Sequence, residues 1–244
     1  MLPHILKRKV LIIFITLIIC GIGFVIYSNK KIEGVWINHY NTSVSTDYFS
    51  PGRDVLKIKN QTFHSYNHQA NGGLIKEKYF LIGKSLRLWP KDSTDYTLPK
   101  VFVNRDSLFF EFYNEHRRIY KKIPDSLKNN SYFKLDFTNK AFRLESEKGI
   151  DTNYFDSKLT YYRRKDHPHI DWYTGGWETV SIDNYDFLLL ADATPVIIKE
   201  NNGNVLLYVL DEKNKLLKIK LVEIQLDSTD LKSLARHKKY YVDR

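Results

Sequence analysis

From Val10 to Tyr27 the chain reads VLIIFITLIICGIGFVIY, eighteen residues without a charge and with Thr16 as the one clearly polar side chain. A helix crossing a bilayer core needs about 20 apolar residues, with roughly 17 as the lower end, so this run predicts a single span. After it the pattern changes to short segments in which apolar and polar positions alternate, the period of a half-buried strand. Candidate strands fall at Gly34–Asn38, Asp54–Lys59, Thr62–Asn67, Lys76–Ile82, Ser85–Trp89, Thr97–Val103, Ser107–Tyr113 and Arg117–Lys122. In the second of these Leu56 and Ile58 point one way and Lys57 and Lys59 the other. The connections Asn60-Gln61, Gly83-Lys84, Asn104-Arg105-Asp106 and Asn114-Glu115-His116 carry turn chemistry, and only 39–53 and 68–75 read as longer loops.

Lys7, Arg8 and Lys9 precede the apolar run. By the positive-inside rule they hold the short leading segment in the cytoplasm and place everything after Ser28 outside, a bias that Lys30 and Lys31 weaken. A cleavable signal peptide would want small residues at a cleavage site, and SNKKIEG offers no such pair. A lipidated Cys20 would want a small residue where Ile19 stands, and the apolar run continues past it to Tyr27. The expectation is an uncleaved anchor, with Cys20 a small apolar residue in lipid.

Eight consecutive antiparallel strands on short turns leave two edges, which closure into a barrel removes; an open or sandwiched sheet is the alternative. At Pro124–Asn130 the chain turns irregular, which divides it into 1–30 (stub and transmembrane helix), 31–123 (meander barrel) and 124–244 (a second antiparallel β-rich domain). Strands are expected there at Tyr132–Phe137, Ala141–Glu145, Lys158–Arg163, Phe187–Leu190, Pro195–Glu200, Val205–Leu210 and Leu216–Leu226, with Ser228–Lys238 either a short capped helix or irregular. Gly176-Trp177 and Lys238-Lys239-Tyr240-Tyr241 echo the first half and raise an internal duplication. The spacings differ, so a second β-domain packed on the first is the expectation. The fold class is therefore all-β behind a membrane helix.

Gly34-Val35-Trp36 on the first strand and the basic-aromatic Arg117-Arg118-Ile119-Tyr120-Lys121-Lys122 on the eighth give residues 34–123 a resemblance to lipocalin-like bacterial domains. The resemblance implies a calycin-type barrel in which Trp36 closes the floor beneath a basic side chain of the last strand, Arg118 or Arg117. Trp36 is then a structural residue. The string Thr94-Asp95-Tyr96 matches another lipocalin motif but falls one strand too early, and reads as coincidence. This half is shorter than a typical lipocalin, which argues against a roomy ligand cavity.

Composition supports the β reading. Seventeen Tyr, 14 Phe and 4 Trp favour strands, while a single Cys excludes an internal disulfide framework and Cys-rich metal sites. Removing Lys7, Arg8, Lys9 and Lys30 from the formal net charge of +10 leaves +6 on the rest, a mild excess. It reads as a solvated basic surface or as attraction to anionic lipid heads and envelope polymers. No nucleic-acid motif accompanies it.

One motif suggests chemistry. In Asp166-His167-Pro168-His169-Ile170-Asp171-Trp172, His167, His169 and Asp171 share a face of an extended segment, within reach of one metal. The string resembles the His-x-His-x-Asp-His of metallo-β-lactamases, with Trp172 where the last ligand belongs. The preceding Tyr162-Arg163-Arg164-Lys165 is no apolar strand, and His237 is the one His downstream. A polar loop is the simpler reading. Phosphate loops and nucleophile elbows are absent from the sequence, and the carboxylate pairs Asp227/Asp230 and Glu145/Glu147 read as solvated faces. No catalytic, cofactor or metal residue is assigned. The expected function is a non-enzymatic, membrane-anchored extracytoplasmic binding module, for a small apolar ligand or an envelope protein, without a cofactor. The alternative is an exported metal-dependent hydrolase built on His167, His169 and Asp171.

Overall fold

A computed structural model describes residues 4–43, 48–67, 75–82, 85–89, 100–111, 116–130, 135–147, 149–164, 172–191, 193–202, 204–211, 213 and 215–242. Helix α1 (His4–Lys31) contains the apolar run, and its segment Arg8–Lys31, whose apolar 18-residue core has a mean hydropathy of 2.9, is long and apolar enough to cross a membrane. At 1.5 Å per residue the uncharged stretch spans roughly 27 Å. Its apolar side chains from Val10 to Tyr27 are exposed apart from the half-buried Val25, unlike the one buried stripe of an amphipathic helix.

Nine strands follow: β1 (Gly34–Ser43), β2 (Tyr48–Pro51), β3 (Asp54–Lys59), β4 (Thr62–Asn67), β5 (Ile75–Ile82), β6 (Ser85–Trp89), β7 (Lys100–Asn104), β8 (Ser107–Glu111) and β9 (His116–Lys122). Their order is β2-β1-β3-β4-β5-β6-β7-β8-β9, and β1 also pairs with β9. Eight strands therefore form an antiparallel ring, the first barrel, with β2 attached outside it as a hairpin on the extended end of β1. All eight expected strands are present in their described parts; 97–99 of the sixth and 112–113 of the seventh lie outside the described residues. The loop expected at 39–53 is corrected: β1 runs on through it to Ser43, and it holds β2, where Pro51 and brevity hide the strand pattern. Asn60 and Gln61 both have positive φ, as the two-residue turn between β3 and β4 requires.

The second half is also a closed eight-stranded barrel, β10-β11-β12-β13-β14-β15-β16-β17. Its strands are β10 (Lys140–Ser146), β11 (Gly149–Phe155), β12 (Leu159–Arg164), β13 (Tyr173–Ile182), β14 (Tyr185–Leu190), β15 (Val196–Asn201), β16 (Asn204–Leu210) and β17 (Leu216–Ile224). Two were not legible: β11 is polar (GIDTNYF), and Gly175-Gly176 interrupt β13. The strand expected at Tyr132–Phe137 is corrected in its described part, since Leu135–Phe137 is not strand. Phe137 instead plugs the barrel base against Phe142, Phe155 and Trp177. Helix α2 (Ser228–Val242) is real, capped by the Asp227 carboxylate accepting from Asp230 N–H at 2.8 Å. The echo of Gly34-x-Trp36 by Gly176-Trp177 is not structural, because Trp177 sits on the fourth strand of its barrel and Lys238–Tyr241 belongs to α2. Phe142 holds the place of Trp36, third residue of the first strand.

The barrels share one apolar seam. Outward-facing Val35, Ile37 and Val55 of the first pack on Ile182, Tyr185, Phe187, Leu189, Ile197 and Leu210 of the second, with Ile123 and Leu127 of the linker between them. This explains the continuous apolar runs of β14 and β15: one face fills the barrel, the other the seam. Lys57 closes the seam's edge on Asp183 at 2.6 Å.

Candidate functional site

Three places in the described structure carry unusual chemistry. The first lies inside the first barrel. Its floor is apolar, built by Ile32, Trp36, Leu56, Ile58, Tyr79, Leu81, Val101, Leu108, Phe110 and Tyr120. Above it Asp54, inward-facing by the same parity as Leu56 and Ile58, is buried and accepts from Asn38 Nδ2 at 2.6 Å, Ser65 Oγ at 3.1 Å and the Tyr120 hydroxyl at 2.9 Å. Arg118 lies against the Tyr120 hydroxyl and the Asp54 charge. Burial, with the Asp54 charge beside it, pushes the Tyr120 phenol well above its ordinary value, against the pull of Arg118. The phenol thus stays a donor at any physiological pH. Both Asp54 oxygens are committed to neighbours, so the cluster ties β3 to β1, β4 and β9 rather than offering a free base.

Trp36 is fully buried, and its Nε1 donates to Ile32 O at 3.0 Å. The basic side chain over it is Lys122, whose Nζ stands 5.5 Å from the ring centroid. This corrects the expectation of Arg118 or Arg117. Strand register decides it: Trp36 pairs with Lys122, whereas Arg118 lies opposite Asn41 and Arg117 opposite Thr42. Arg117 instead pairs with Glu111 at 2.8 Å. Gly34 is explained by the same arrangement. It has a φ of +143°, and a Cβ there would stand 2.9 Å from Lys122 Cε.

The second place is the seam at His39. The register slips between Asn38 and Tyr40, so His39 is the extra residue of a bulge and turns outward to barrel two. Its Nε2 bonds the Asp211 carbonyl at 2.7 Å and must therefore carry the proton, leaving Nδ1 bare, buried and without a hydrogen bond. Burial lowers the His39 pKa below 6.5, against the Asp211 hydrogen bond and charge, with Lys121 adding to the lowering. Above pH 6.5 folded and unfolded chains both hold a neutral ring. Below it the unfolded chain binds a proton that the fold refuses, so stability falls until the folded ring itself titrates. Denaturation midpoints taken across this window should drop on acidification, and His39→Gln should flatten that slope.

The third place is the junction of α1 with the first barrel. Ser28, Asn29 and Ile32 are buried at the barrel base. Strand β5 outruns β4: Tyr79 N–H reaches back to Gln61 O, and beyond it Leu81 would be left with open backbone groups. Asn29 supplies them, accepting from Leu81 N–H at 3.0 Å and donating to Leu81 O at 3.2 Å. On the other side, Ser85–Lys100 is the one rung between β6 and β7 among the described residues, and Val101–Asn104 run on past the start of β6. The gap is a groove of about 570 Å³ lined by Phe24, Tyr27, Ser28 and Lys31 of α1, Leu81 of β5, Val101–Asn104 of β7 and Phe109 of β8.

No protein family, curated protein or solved structure matches this chain. Its chemistry must be read from its own residues.

His167, His169 and Asp171 lie outside the described residues, as does Thr94-Asp95-Tyr96. Among the described residues no group of three His, Cys, Asp or Glu is placed to hold a metal. Trp172, standing where the motif wants its last ligand, is buried and donates to Ser233 Oγ of α2 at 3.1 Å. Arg163 covers its ring at 5.5 Å and reaches Asp230 at 2.7 Å, so this Trp is an anchor for α2. Sequence reasoning missed Asp54, Asn38 and the groove. For Asp54 a signal existed: a carboxylate on the inward parity of an otherwise apolar strand face.

Proposed function

We propose that the protein is a non-enzymatic binding module, tethered by α1 to the cell membrane with its barrels outside the cytoplasm, and that it takes a small apolar ligand at the helix–barrel groove. The observation that carries this reading is the groove itself, whose volume falls within the usual range for small-molecule sites and whose wall is apolar. Its position also favours it over the barrel interior, because Trp36, Tyr79, Phe110 and Tyr120 fill the first barrel's floor and the Asp54 cluster ties the space above. The buried Trp36 under Lys122 supports a lipocalin-like reading of this barrel. The buried apolar seam to the second barrel suits display of a further surface to an envelope protein.

The orientation rests on Lys7, Arg8 and Lys9 before the apolar run. A reporter fused after Arg244 should be active only outside the cytoplasm, and the mature chain should keep Met1. Reporter activity confined to the cytoplasm, or a new amino terminus between Cys20 and Lys31, would contradict the tether as drawn.

A further inference from the structure

We infer that the occupant of the helix–barrel groove is an acyl chain of a phospholipid from the surrounding leaflet, which leaves the bilayer along α1 and lies against β7. The inference rests on the membrane-tethered reading above and names the ligand of the same groove.

Four observations lead to it. First, one wall belongs to the apolar helix: Phe24 and Tyr27 are in the last turns of the uncharged run, and both are more than half exposed. In a helix that crosses a membrane these positions lie where hydrocarbon gives way to headgroups, so the groove opens onto lipid rather than onto bulk water. Second, the opposite wall continues that apolar surface into the protein. Phe102, Val103 and Phe109 are half-buried, while Leu81 and Val101 at the back belong to the barrel core. A chain entering here exchanges one hydrocarbon environment for another and never crosses water. Third, the polar groups are where a phosphate would need them. Lys31 stands on the rim, exposed, one residue after the equally exposed Lys30. An ammonium at the helix end, one turn beyond Tyr27, matches a headgroup at the interface. Fourth, the groove has a structural cause that keeps it open. The β5–β6 hairpin turns before β7 ends, and Asn29 fixes α1 to Leu81 at a set distance from the β7 edge.

An amphipathic segment of another protein would want a polar face along its length, and a second copy of this chain would have to bring its own membrane helix into the same slot. The continuous apolar path from α1 favours the lipid tail. Both rivals are outcomes of the test.

The full chain is placed in phospholipid nanodiscs containing a trace of phosphatidylcholine with a diazirine near the end of one acyl chain, irradiated, digested and read by mass spectrometry. Adducts are expected on the 101–109 segment as well as on α1. Val103→Trp, which fills the slot, should reduce labelling of 101–109 by roughly tenfold, because it removes the burial of two or more methylenes, and leave labelling of α1 unchanged. Should Val103→Trp fail to fold, Phe102→Glu, which puts a carboxylate on the outer wall, must give the same selective loss. Lipid adducts confined to α1, labelling of 101–109 that neither variant changes, or cross-links from a photoreactive residue at Phe102 to another protein or a second copy would overturn the assignment. Correct reporter topology with no adducts on 101–109 removes the lipid alone. Barrels found in the cytoplasm remove the extracytoplasmic reading itself.

Discussion

Trp36→Ala should destabilise the chain by about 3–5 kcal/mol, the range for truncating a fully buried large aromatic. Trp36 has no exposed surface, it spends its indole N–H on Ile32 O, and it sits where α1 enters the barrel. Its loss opens a cavity beneath Leu56, Ile58 and Tyr120 and frees the helix end at once. Against a usual total of about 5–15 kcal/mol, that can unfold the first barrel. Lys122→Met should cost far less. The cation over the ring is exposed, where such contacts contribute roughly 0.5–1 kcal/mol, and its bond to Glu33 O at 3.1 Å is also at the surface. The double variant should lose less than the two single losses added, since the groups touch. Urea denaturation followed by circular dichroism measures all three. A Trp36→Ala loss below about 1 kcal/mol would show that the indole does not close this floor.

Asp54→Ala carries the second large effect. The carboxylate serves Asn38, Ser65 and Tyr120 and stands beside Arg118, so its removal takes an acceptor from the buried Asn38 and Tyr120 and the half-buried Ser65, and a negative charge from beside Arg118. Leaving a buried donor without its acceptor costs about 1–3 kcal/mol, so removing this shared acceptor should cost about 3–5 kcal/mol in all. Asp54→Asn keeps the shape and one acceptor oxygen and should lose about 1–3 kcal/mol. The ordering Ala worse than Asn distinguishes a network that binds strands from a carboxylate kept for chemistry. In the latter case both variants would fold normally and differ only in activity.

How far the sequence carried depends on what kind of information each element needs. The first barrel was legible because several of its ring strands alternate and Asn60-Gln61 suit the positive φ of the turn between β3 and β4. In the second barrel β14 and β15 read as strands for a different reason. Each is apolar on both faces, one inside the barrel and one in the seam, so periodicity gives way to a continuous run. Strands β11 and β13 were lost because polar residues and paired glycines erase both signals. Motif and place then parted company. Gly34-x-Trp36 pointed to a real floor, but the identity of its basic partner depends on register, and no local pattern distinguishes Lys122 from Arg118. The bulge at His39 and the Asn29–Leu81 bonds are of the same kind. The groove was out of reach altogether: residues 24–31 and 101–109 meet only once the ring has closed.

With Asn29 bonded to Leu81 and an apolar seam buried between the barrels, α1 and the two barrels are expected to move as one body at the membrane. Double electron–electron resonance tests it directly. With Cys20→Ser removing the one native thiol, spin labels at Lys30→Cys and Lys220→Cys, both exposed, report from the helix end to the far barrel in a bilayer nanodisc. A single distance distribution as narrow as that of a pair within the first barrel, Lys59→Cys with Arg105→Cys, is the predicted result. A broad distribution for the first pair beside a narrow one for the second would contradict it.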